Sequence, residues 1–190
     1  TAEELAAIVP IPEAVIADSG IPIWPEVMPR LTSALGYKLD QATLFGVDKP
    51  SSFPDGIIPQ AITAGNTLTQ GKDLAKDVAS MGQKLAEQGF AMNGFASKPG
   101  LNWELIGLRN ANGSPIYVPS LASGAPSTLY GFGLNEVDNG AWDATKAVLL
   151  GADWSNFVVG IRQDITYKLL DQSVISDDNG KVILNLAQQD

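Results

Sequence analysis

The sequence predicts an α+β protein whose helices come early and whose strands come late, in mixed or largely antiparallel sheets. Three observations carry this: an apolar stripe at three- and four-residue steps from Trp24 to Phe45, a second such stripe over residues 72–88, and a series of short β-branched and aromatic runs after Asn112-Gly113. Helices followed by strands, without regular alternation, argue against βαβ units and an all-parallel sheet. With 190 residues and 45% hydrophobic content the chain can bury a real core, in one large domain or two small ones.

The first stripe comprises Trp24, Val27, Met28, Leu31, Leu35, Leu39, Ala42 and Phe45. It predicts one helix over most of residues 25–45, roughly 30 Å long at 1.5 Å per residue. Pro22 and Pro25 suit its first turn, Glu26 complements the positive end of its dipole, and Gly46 suits a left-handed stop. Pro29 requires either a start near residues 25–28 or a bend. Leu31, Leu35 and Leu39 are expected to be buried against the late strands, with Arg30, Lys38 and Gln41 outside, so that Leu35→Asp costs several kcal/mol.

Val47-Asp48-Lys49-Pro50 and Phe53-Pro54-Asp55-Gly56-Ile57 form a punctuated exit, and residues 57–71 lack a helical period and read as connecting strand and turn. Residues 72–88 form a second amphipathic helix with Leu74, Val78, Met81 and Leu85 on its core face, Asp73 in its first turn and Gly89 as its stop. Residues 90–95 read as a short strand. Ser97 and Pro99 can start a helix bearing Leu101, Leu105 and Leu108. Further strands are expected at residues 116–118, 128–132, 147–150, 157–161, 165–170 and 182–186.

The residue inventory excludes most catalytic plans. Without histidine there is no Ser-His-Asp triad, histidine base or imidazole ligand, and without cysteine there is no disulfide, thiolate nucleophile or usual structural zinc. Gly131-Phe132-Gly133 lacks the third glycine of a dinucleotide loop. Asp177-Asp178-Asn179-Gly180 has adjacent rather than alternating acids and no closing glutamate, so it reads as a hairpin turn and not a calcium loop. Glu104 beside Trp103 and Asp143 beside Trp142 are the places to seek paired carboxylates, but each reads more simply as a surface acid next to a core anchor. No catalytic, cofactor-binding or metal-binding residue is expected. The net charge of −9, with 21 acidic and 12 basic residues and no Lys/Arg cluster, disfavours specific nucleic-acid binding. No apolar run is long enough for a membrane span.

Four ordered pieces of sequence carry a resemblance. They are Val9-Pro10-Ile11-Pro12-Glu13 with Asp18-Ser19, the helix closing on Leu39-Asp40 and Leu44-Phe45-Gly46, and Pro54-Asp55-Gly56-Ile57; then Leu108 to Pro115 around Asn112-Gly113; then Ser127-Thr128-Leu129-Tyr130-Gly131-Phe132; and finally Leu150-Gly151-Ala152-Asp153-Trp154-Ser155 with Val159-Gly160-Ile161-Arg162. Together the chain resembles tailed-bacteriophage or prophage major capsid proteins of the Hong Kong 97 type. The resemblance implies a spine helix over residues 22–46, a peripheral domain from residues 1–58 and 151–190 with the root of an extended loop at its start, and an axial domain from residues 59–150. In that frame Ser127 to Phe132 is a strand with a central glycine, and Asp153-Trp154 is the corner where the chain leaves the axial domain.

The same resemblance implies a structural subunit without chemistry of its own, self-assembling into pentamers and hexamers of an icosahedral shell around packaged DNA. Its partners would be further copies of itself, with portal, scaffold and maturation protease as others. It would reside in the virion, and in host cytoplasm during assembly, without cofactor, membrane or specific nucleic-acid contact. An acidic wall would let packaged DNA slide. An encapsulin-like compartment shell is the alternative of the same class, and a carboxylate-dependent hydrolase the rival of another. The chain begins at Thr1 and ends at Asp190 without the clasping segments the family expects, so the native gene is expected to extend past both ends and these residues alone to fold without closing shells.

Overall fold

The computed structural model describes residues 3–11, 20, 22–118, 127–168, 174–177 and 179–185, in two units, Thr1–Val158 and Val159–Asp190. The expected positions Pro12, Glu13, Asp18, Ser19, Leu169, Leu170, Asp178 and Leu186 lie outside the described residues.

The long helix, α1 (Ile23–Asp40), begins after Pro22 and runs through Pro29. It then passes into a π-helical turn over Gln41–Phe45, ended by Gly46 in the left-handed conformation at φ 68°. The wider turn places the consecutive residues Leu44 and Phe45 both inside the core. The expected burial of Leu31, Leu35 and Leu39 is corrected here. No residue of α1 is buried within the single chain, and Leu39 remains 44% exposed. Arg30 and Lys38 lie outside as expected, while Gln41 is half-buried, its amide donating to the Tyr37 hydroxyl. The stripe has the periodicity of a packing face, but packing engages only its C-terminal continuation.

Gly46 and Gly56 close the exit loop on itself. Lys49 fastens its interior, with Nζ 3.1 Å from Asp55 and 3.0 Å from the Phe53 carbonyl. Residues 57–63, expected to be extended, instead form α2 (Ile57–Thr63). Its apolar signal is short, and what settles it is burial of Ile58 against Leu44 and Phe45. Helix α3 (Leu74–Glu87) matches its expectation closely. Asp73 is its N-cap, accepting from the amides of Ala75 and Lys76, and Gly89 follows its end at φ 84°.

The sheet of the first unit has the order β2-β3-β1-β4, from β1 (Gly94–Ser97), β2 (Thr128–Leu129), β3 (Phe132–Glu136) and β4 (Leu149–Ala152). β1 runs parallel to β3 and antiparallel to β4, so the sheet is mixed. The expected strand at 90–95 is found over Gly94–Ser97, and Ser97, expected at a helix start, sits fully buried at the strand's end. Helix α4 (Leu101–Ile106) starts from Gly100 and takes a cap from Glu136, whose carboxylate accepts from the Asn102 amide at 2.7 Å. The strand expected over 128–132 is a hairpin: Tyr130 and Gly131 both have positive φ, the signature of a two-residue turn matched to strand twist. Residues 116–118 and 157–161 are not strands, nor are 165–168.

Central strand β1 is covered on both faces. Phe95 packs with Val78, Leu101, Leu105, Leu129 and Leu134, while its neighbour Ala96 packs on the opposite side with Leu44, Phe45, Ile58 and Trp142. The antiparallel register continues this division, because Leu149 joins the first cluster and Leu150 the second. Phe45 and Trp142 meet edge to face at 5.6 Å. The second unit contains the antiparallel hairpin β5 (Val174–Ser176) and β6 (Val182–Asn185), the first of which the sequence reading missed. Its turn is the expected one. Asp177 Oδ1 accepts from the Asn179 and Lys181 amides, and Gly180 has φ 79°.

Candidate self-association surface

Many large apolar side chains stand open on the surface. Trp103 on α4 is 74% exposed, and Val158 is 88% exposed in a run where Phe157, Val159 and Ile161 are also open. After the Asn112-Gly113 turn, Ile116 and Val118 point outward while Tyr117 points in, its hydroxyl donating to Asn102 Oδ1 at 2.9 Å and its ring packing on the first cluster. Trp24 and Leu39 are open on α1, and Leu5, Ile8 and Val9 near the start. Apolar side chains scattered singly are ordinary, whereas runs of consecutive open residues are less so. The sequence carried this signal only as apolar residues assigned to strands at 116–118 and 157–161, to the long helix at Trp24 and Leu39, and to the core at Trp103.

Glu104, Asp143 and Asp153 are each engaged locally. Glu104 pairs with Lys98 at 2.6 Å. Its neighbour Trp103 is open to solvent, which corrects its reading as a core anchor, whereas Trp142 is buried and donates from Nε1 to the Ala147 carbonyl at 2.7 Å. Asp143 accepts from the Thr145 hydroxyl and amide, which hold its carboxyl below the ordinary aspartate value.

Asp153 caps the 3-10 turn Trp154–Asn156, and hydrogen bonds from the Ser155 hydroxyl and amide hold its carboxyl low as well. Asn93 spans the same corner, donating to Asp153 Oδ1 at 3.0 Å and accepting from the Trp154 amide at 2.9 Å. The Trp154 ring lies against Gly94, where a Cβ would stand 3.0 Å from it, and 5.4 Å from the Phe157 ring. Asp143 and Asp153 therefore shape turns at separate places in the chain, while Glu104 pairs with Lys98 from within α4. Among the described residues no group of three His, Cys, Asp or Glu side chains is arranged to hold a metal ion, and no helix is long and apolar enough to cross a membrane.

Residues 1–185 match the model of the phage capsid family. The chain belongs to that family.

Solved structures of phage origin resemble this capsid-family chain over nearly its whole length. A chain from Microbacterium phage Oxtober96 is 40% identical with a TM-score of 0.83, one from Mycobacterium phage Cain 35% identical with 0.79, and one from Mycobacterium phage Adephagia 33% identical with 0.80. Each match covers 98% of the present chain and 60% of the other, so this chain spans three-fifths of the length of those relatives. No curated protein matches it. The expected fold is thereby established as that of the phage capsid proteins, with a long helix and a mixed sheet.

Proposed function

We propose that the protein is a major capsid subunit, a structural component that assembles with copies of itself into the pentamers and hexamers of an icosahedral phage or prophage head around packaged DNA. The family match over residues 1–185 carries this reading. Open apolar runs at Trp103, Ile116, Val118 and 157–161 support it, because symmetric repetition turns modest patches into a strong shell. In this reading residues 59–150 form the axial domain, and residues 1–58 with 151–190 the peripheral domain. The subunit performs no catalysis and binds no cofactor, and resides in the virion after assembly in host cytoplasm. Portal, scaffold and maturation protease are its further partners. The phage origin of its structural relatives favours a DNA-filled head over an encapsulin-like compartment.

The test is expression of the complete reading frame containing these residues, followed by gradient sedimentation and electron microscopy. Closed particles or capsomers of uniform size are expected, and a protein that stays monomeric at all concentrations would overturn the proposal. Particles from the native source should contain nuclease-protected DNA; a protein cargo in its place would favour the compartment.

A further inference from the structure

The sequence contains four Asn-Gly pairs: Asn93-Gly94, Asn112-Gly113, Asn139-Gly140 and Asn179-Gly180. In this dipeptide the glycine nitrogen can attack the preceding side-chain amide with no Cβ in the way. Attack needs a free amide group and a backbone able to rotate, and the fold supplies these at two pairs only.

Asn93 is held through both side-chain atoms, by Asp153 at 3.0 Å and the Trp154 amide at 2.9 Å, and Gly94 lies in the middle of the sheet beneath the Trp154 ring. Asn139 is held likewise, donating to Asp40 at 2.6 Å and accepting from the Ala141 amide at 3.0 Å, with Gly140 against the Tyr37 ring. By contrast, Asn112 and Asn179 are exposed, and no hydrogen bond among the described residues holds their side-chain amides. Gly113 and Gly180 face open space and are tied only by a single turn bond each, to the Asn110 and Asp177 carbonyls at 2.9 Å.

We propose that Asn112 and Asn179 are sites of spontaneous deamidation, and that hydrogen bonding and packing hold Asn93 and Asn139 in the amide form. The Gly113 or Gly180 nitrogen gives its proton to hydroxide and bonds to the asparagine Cγ. The Cγ–Nδ2 bond breaks, and the nitrogen leaves as ammonia after taking a proton from water. Water then adds to either carbonyl of the succinimide ring and opens it to aspartate or isoaspartate, with no change of oxidation state. Every conversion adds a negative charge to a chain already at −9. Isoaspartate at Asn179 also lengthens the main chain within the β5–β6 turn, which disturbs the hairpin register.

The experiment is incubation of the protein in mildly alkaline buffer, with timed peptide mapping by mass spectrometry and isoaspartate detection. Two hydrogen bonds of usual net strength should make Asn93 and Asn139 at least about tenfold slower than Asn112 and Asn179. In urea the four rates should converge. Equal rates in the folded protein, or the same ratio persisting in urea, would overturn the proposal, the latter by assigning the difference to flanking sequence. Asp40→Ala should speed conversion at Asn139 alone; an unchanged rate in a folded variant would remove the hydrogen-bond explanation, and if that variant fails to fold the urea comparison decides.

Discussion

A Cβ on Gly56 would lie 2.4 Å from the Gly46 nitrogen and 2.6 Å from the Phe45 carbonyl carbon, both backbone atoms that cannot swing aside. Gly56→Ala should therefore cost about 1–3 kcal/mol or more, read as a lowered denaturant midpoint. Gly133 faces open space at an ordinary φ, so Gly133→Ala should be neutral or stabilise by up to about 1 kcal/mol, largely through the unfolded chain. Asp153 has a pH signature. Its folded carboxyl titrates below the ordinary 3.8 because the Ser155 hydroxyl and amide favour the charged form. Its contribution is thus fully present above 3.8 and lost as pH falls through the lower folded value, since the unfolded chain takes up the proton first. Asp153→Asn should lower stability at neutral pH and flatten the acid limb of a stability profile; an unchanged acid limb would show that the corner is not held by charge.

At the scale of elements, β1 and α1 differ in how far the single chain completes their packing. Phe95 in β1 is fully buried against Val78 of α3 and Leu101 and Leu105 of α4, and Phe95→Ala should cost about 3–5 kcal/mol by chemical denaturation. Leu35 in α1 is only half-buried, so Leu35→Asp should cost about 1 kcal/mol or less in the isolated subunit, in contrast to the several kcal/mol its periodicity suggests. If the stripe is an assembly face, the same variant should remain folded by circular dichroism and yet fail to form particles. Loss of the fold itself would return the stripe to the subunit core.

At the scale of the whole molecule, the open apolar residues predict where assembly can be broken without unfolding. Trp103 makes so little contact in the subunit that Trp103→Ser should leave the thermal midpoint within about 2 °C, by the usual small effect of surface substitutions. If α4 faces a neighbouring subunit, sedimentation should show that variant as smaller species at concentrations where the parent forms particles. Parent-like particles from Trp103→Ser would exclude α4 from the contacts.

Periodicity, caps and composition were legible before any coordinates. Asp73 and Gly89 bound α3 because local hydrogen bonding and a left-handed exit are properties of a few adjacent residues, and the Asp177 turn is fixed in the same way. The absence of histidine and cysteine removed most chemistry by inventory alone. The ordered punctuation from Val9 to Arg162 carried the family. Tertiary structure decided what depends on distant partners. Residues 57–63 became a helix because Ile58 found Leu44 and Phe45, the run at 128–132 split where Tyr130 could take a positive φ, and β1 paired parallel with β3 and antiparallel with β4, strands more than 30 residues away in sequence. Which apolar residues stay outside was likewise not written in their spacing. A stripe at helical period marks an apolar face, but how much of it the same chain covers is fixed only when the rest of the chain has packed, here leaving Leu39 in the open.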